Sequence, residues 1–129
     1  MNRETKFRAW IKYNKEMKEV FSLDFINKKA YIKMNKSVPF GYVNFDGCEL
    51  MQYTRIKDIN GTEVYEGDIV KVYVPSSFVT RITAIHGTFK TCEVVFEYGC
   101  WGVKEVSGEY LNNLYEAKEL EIIGNKYVK

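Results

Sequence analysis

From Lys6 to Ile11 polar and apolar residues alternate, with Phe7, Ala9 and Ile11 on one face and Arg8 and Trp10 on the other. A period of two is that of a half-buried strand. Asn14-Lys15-Glu16 supplies a turn and Met17 to Phe21 a return, so the segment predicts a β-hairpin. Lys28 to Lys36 sets Tyr31, Ile32 and Met34 among lysines. That pattern has two readings. One is a half-buried strand with solvated lysines. The other is a surface for single-stranded nucleic acid, with phosphates on the lysines and bases on the ring. Ser37 to Gly47 carries Pro39, Gly41 and Asp46-Gly47 and reads as a loop anchored by Phe40, Tyr42, Val43 and Phe45. Glu49 to Tyr53 predicts a short strand.

The next stretch, Gln52 to Val70, organises the rest of the chain. Asn60-Gly61 signals a tight hairpin turn of type I′, because both residues tolerate positive φ. Glu66-Gly67-Asp68 signals a second turn, with Asp68 placed to bond nearby backbone amides. Ile69, Val70, Val72, Tyr73 and Val74 then form a β-branched run whose wholly apolar face, Val70-Val72-Val74, is expected in the core. Pro75-Ser76-Ser77 breaks this strand. Val79 to Ile85 and Cys92 to Glu97 predict two more, with a turn at Gly87 between them. Tyr98 to Gly102 bends the chain, and Trp101 and Val103 start another strand. Tyr110, Leu111, Leu114 and Tyr115 sit at helical spacing, and Leu120 to Ile123 closes as a last strand. Five or six short strands punctuated by glycine suggest a small barrel. The expected class is α+β, mostly β. A β-hairpin subdomain occupies residues 1–46, and a small barrel residues 47–129.

These motifs, in order, resemble the YopX family of bacteriophage and prophage proteins. The residues that carry the resemblance begin with Lys6-Phe7-Arg8-Ala9-Trp10, Met51-Gln52-Tyr53-Thr54, Lys57-Asp58 and Asn60-Gly61. Tyr65-Glu66-Gly67-Asp68-Ile69-Val70 and Ile123-Gly124-Asn125 complete them. The resemblance spans nearly the whole chain. It implies a phage origin and a β-rich fold with an SH3-like barrel in the later half, and it implies no reaction and no catalytic residue.

Charge changes the picture more than composition does. The 129 residues carry a net charge of +2, too little by itself to indicate a nucleic-acid partner. Its distribution is uneven: residues 1–36 are strongly basic and the remainder is net acidic. A basic head on an acidic body steers anions, or brings the head of one copy to the body of another, or is an ordinary solvated face. The odd count of three cysteines, Cys48, Cys92 and Cys100, fits free thiols in a reducing cytoplasm. The charged N-terminus lacks the apolar core of a signal peptide, and no apolar run approaches a membrane span.

Candidate chemistry is sparse. No Cys-x-x-Cys pair accompanies the single His86, so no metal or cofactor is expected. The acids of Glu66-Gly67-Asp68 are explained by the turn, and no glycine-rich phosphate loop occurs. The expectation is therefore a non-enzymatic protein. The abundant aromatics point to protein contact, either self-association or a host protein. The alternative is a nucleic-acid contact face made of Lys6, Arg8, Trp10, Lys12, Lys28, Lys29, Tyr31 and Lys33. Asn60, Gly61, Glu66, Gly67 and Asp68 are expected to act as structural turns.

Overall fold

The computed structural model describes residues 5–74, 88–106, 110–114 and 117–128. The expected break at Pro75, the strand at Val79 to Ile85, His86, Gly87 and Tyr115 lie outside the described residues. The chain divides into two compact units, Met1–Arg55 and Ile56–Lys129. The division expected after residue 46 lies earlier, just before β5 begins.

The first unit holds β1 (Phe7–Ile11), β2 (Glu16–Asp24), β3 (Lys29–Lys33), β4 (Phe40–Asn44) and most of β5 (Cys48–Lys57). The hydrogen-bonded order is β4-β3-β2-β1-β5, with the three-residue β6 (Glu63–Tyr65) following β5. Phe7, Ala9 and Ile11 face Val20, Lys18 and Glu16 across the first hairpin. The core of this unit is Ala9, Ile11, Ile32 and Cys48, flanked by Val20, Met34, Val43 and Leu50. The alternation that predicted β1 is thus the alternation that fills the core.

β4 corrects the loop expectation for residues 37–47. It pairs in unbroken antiparallel register with β3, from Lys29↔Asn44 to Lys33↔Phe40. Pro39 precedes the strand, and Gly41 sits within it, where a Cβ would press on the Met34 side chain at 3.0 Å. The breakers thus stand at a strand entrance and at a packing contact. Only Phe45–Gly47 forms a short 3-10 turn.

The second unit places β7 (Asp68–Val74), β8 (Thr88–Glu97), β9 (Cys100–Glu105), β10 (Tyr110–Asn113) and β11 (Lys118–Asn125) in the order β10-β9-β8-β7-β11. Its core joins Val64, Val70, Val72, Cys92, Val94, Trp101, Val103, Leu114 and Leu120. Val70 and Val72 lie in it as their alternation requires. The fold is mostly β and agrees with an SH3-like β-rich architecture, although the described strands form an open sheet: its end strands β10 and β11 are not paired with each other. Of the helical turn expected at Tyr110 to Leu114, Tyr110–Asn113 is instead strand β10, paired with β9, and only Leu114 has 3-10 geometry. A four-residue segment satisfies its backbone groups on a neighbouring strand more fully than in one isolated helical turn.

The turns also sort differently from the pattern of the sequence. At Asp58–Gly61 the Gly61 N–H donates to the Asp58 carbonyl at 3.0 Å. Positive φ occurs at Gly61 (+81°) and not at Asn60. Asp at the first position and Gly at the fourth match a type I turn, so type I′ is not adopted there. The two-residue turn with positive φ at both central positions is Tyr98 (+56°) and Gly99 (+76°), closing the β8–β9 hairpin at Glu97↔Cys100.

Candidate interaction surface

Two constellations stand out, one structural and one exposed. The structural one lies in the second unit. Asp58 is buried, and its Oδ1 accepts the backbone N–H groups of Asn60 and Thr62, each at 2.9 Å. Its Oδ2 accepts the N–H of Ile122, 64 residues away, at 3.1 Å. Burial pushes the carboxyl up, but these three amides outweigh it and hold the group below its ordinary value. Asp68, 2% exposed, accepts the Tyr65 N–H at 2.8 Å and the Asn125 Nδ2 at 3.5 Å. Gly67, with φ at +87°, donates its N–H to Val94 and accepts from the Lys126 N–H. Signature segments far apart in sequence therefore meet as two carboxylate clamps that tie turns to β11. Glu66 belongs to the same turn.

The exposed constellation lies on the face of the first sheet opposite its core. On β3, Ala30 and Ile32 are buried, which turns Lys29, Tyr31 and Lys33 outward together. Across the β3–β4 register, Tyr31 meets Tyr42 and Lys33 meets Phe40. A register shift between Val20 and Ser22 of β2 places Phe21 at a bulge. Its ring stands 4.7 Å from Phe40 and 6.2 Å from Tyr31, and Tyr31 stands 6.1 Å from Tyr42. Phe40 and Tyr42 are each 57% exposed and Phe21 48%. Such pairs contribute about 0.5–1.5 kcal/mol each beyond burial, yet a large part of the ring area stays in water. Lys29 Nζ lies 4.4 Å from the Tyr42 centroid, and Lys33 pairs with Glu19 at 3.3 Å across an exposed gap.

The remaining expected contact residues are spread more widely. Arg8 and Trp10 project from β1 to this same face of the sheet and are half-buried. Lys6 stands 5.6 Å over the Tyr53 ring. Lys12 bonds the Asp46 carbonyl at 3.1 Å and Glu49 at 3.6 Å, and Lys28 occupies the β2–β3 turn with φ +56°. The structure thus gathers Lys29, Tyr31 and Lys33 and adds Phe21 from the β2 bulge, together with Phe40 and Tyr42, which the loop assignment of residues 37–47 had hidden. The period-two spacing of Phe40 and Tyr42 was the available signal.

All three cysteines are thiols, with Cys48 and Cys92 buried and Cys100 half-buried. Burial and the neighbouring Glu105 push the Cys92 thiol up to about 11, and burial and Glu49 raise Cys48. Among the described residues no three His, Cys, Asp or Glu side chains group as a metal site. None of their helices is long and apolar enough to cross a membrane.

Fold and surface together define a two-sheet β protein with clamped turns and an exposed aromatic sheet face. The family model described as YopX protein matches residues 6–129, and the chain belongs to this family. Among solved structures it resembles protein EF1440 from Enterococcus faecalis, at 25% identity and a TM-score of 0.62, over 98% of this chain and 95% of that one. It also resembles protein yopX from Bacillus subtilis, at 19% identity and a TM-score of 0.56, over 95% of this chain and 92% of that one. No curated protein matches the chain.

Proposed function

We propose that this is a non-enzymatic accessory protein of a phage or prophage, acting in the host cytoplasm by protein–protein contact, with self-association foremost. The observation that carries the reading is the contiguous aromatic cluster Phe21-Tyr31-Phe40-Tyr42, exposed on the outer face of the first sheet. Large rings that remain half in water after folding are a cost unless another surface covers them. Aromatic side chains are also the preferred anchors of interfaces.

A second reading rests on Lys29 and Lys33, which flank the Tyr31 ring on β3 and give this face the chemistry of a single-strand binder. The two readings separate by salt and nuclease. The test is sedimentation of the wild type beside Phe21→Ser and Phe40→Ser, with and without nuclease, at low and high salt. Assembly that survives nuclease and salt and weakens in both variants supports protein contact. Binding to oligonucleotide that falls steeply with salt would transfer the face to nucleic acid. A wild type that remains monomeric and takes up neither partner would overturn both.

A further inference from the structure

Five-residue β4 is the end strand of its sheet, so among the described residues no strand lies along one side of its backbone. Which side is fixed by the register. Met34 N–H donates to Pro39 O and Phe45 N–H donates to Lys28 O. Antiparallel pairing alternates, so Gly41 and Val43 exchange hydrogen bonds with β3. The N–H and C=O groups of Phe40, Tyr42 and Asn44 therefore point away from the sheet. These same three residues project their side chains onto the exposed aromatic face.

Proteins usually guard such edges with charges, bulges or very short strands. The end strands β6, β10 and β11 obey that rule. β6 has three residues and includes Glu63. β10 carries a register shift between Tyr110 and Asn112. β11 carries two register shifts and three charged residues, Lys118, Glu119 and Glu121. β4, Phe-Gly-Tyr-Val-Asn, has no charge and no register shift.

We infer that β4 pairs antiparallel with β4 of a second copy across a two-fold axis at Tyr42. This rests on the proposal that the protein self-associates, and it names the interface. The partner is dictated by the strand itself. Its outward groups are symmetric about Tyr42, so a two-fold there sets Tyr42 against Tyr42 and Phe40 against Asn44. Every outward N–H of the three then meets a carbonyl. The aromatic ladder from Phe21 and Tyr31 continues across the join, and no charge on either strand opposes it. An uncharged edge offers nothing to a phosphate backbone, which disfavours nucleic acid at this site. The contact is isologous, so it closes as a dimer and does not propagate through this edge.

Asn44→Pro tests the edge with little disturbance to the fold. Asn44 already has φ −71° and ψ 152°, within the range of proline, and its outward N–H is not part of the β3 ladder. Tyr42→Lys provides a second variant, placing a charge on the edge at an exposed position. The readouts are oligomeric state by light scattering, melting temperature and amide hydrogen exchange at low and high protein concentration.

The expected result is a wild-type dimer in which the amides of Phe40, Tyr42 and Asn44 gain roughly tenfold or more protection as concentration rises. Gly41 and Val43 amides are protected throughout. Both variants should be monomers that melt like the wild type at low concentration, where its dimer has dissociated. If the wild type assembles but Asn44→Pro and Tyr42→Lys assemble equally, and the three amides exchange freely, edge pairing is overturned while self-association stands. A wild type that is monomeric at every concentration overturns both.

Discussion

The most informative single residues are those that resolve a conflict between burial and charge. Asp58 keeps its carboxylate out of water because three backbone amides replace the lost hydration. Asp58→Asn keeps an acceptor for the turn but presents an NH2 group to the Ile122 amide. We expect a loss of about 1–3 kcal/mol at neutral pH by chemical denaturation. The folded carboxyl is depressed, so its contribution is complete above the unfolded value of about 3.9 and is lost as pH falls through the lower folded value. The gap between wild type and Asp58→Asn should therefore narrow on acidification; a gap constant with pH would show that charge is not involved. Gly67 at φ +87° is a position that a β-branched residue enters only under strain. Gly67→Val should cost about 1–3 kcal/mol, and an unchanged melting temperature would remove Gly67 from the turn. With its thiol pushed up to about 11, buried Cys92 has about one thiolate in a thousand at pH 8. Alkylation of the native protein followed by mass spectrometry should modify Cys100 well before Cys92.

Elements were legible from the sequence wherever one alternation decided both pairing and burial. β1, β2, β7 and β9 follow from apolar spacing, and the Val70-Val72 face lies in the core its pattern required. Two elements escaped for physical reasons. In β4, Pro39 and Gly41 read as breakers, yet proline tolerates a strand entrance and the glycine packs beneath Met34. In β10, short apolar spacing fits one helical turn as well as an irregular strand, and pairing with β9 decides. Turn types were the least legible. Asn60-Gly61 carries the type I′ dipeptide but sits at the third and fourth positions of a turn held by Asp58, while Tyr98 accepts positive φ without the expected asparagine. The candidate surface was half legible: Lys29, Tyr31 and Lys33 came from alternation in β3, but the rings completing the cluster come from a β2 bulge and the missed β4. At this scale the aromatic face makes its own prediction. Phe21 and Phe40 are about half exposed, so Phe21→Ser and Phe40→Ser should each cost folding only about 1 kcal/mol or less. Their larger effect should appear in association.

Across the whole molecule the labour divides. The second unit uses its signature residues to hold turns to β11, and the first unit leaves aromatic area exposed and, among the described residues, a strand edge unguarded. Membership of the YopX family covers both units. The basic head and acidic remainder add a salt-sensitive contribution to any encounter, which raises the association rate more than the affinity. The most direct measurement is sedimentation velocity of the purified wild-type protein over a wide concentration range, after nuclease treatment and at high salt. A reversible, concentration-dependent oligomer that persists under both conditions is expected. A single monomeric species throughout would contradict self-association as the central role of the exposed face.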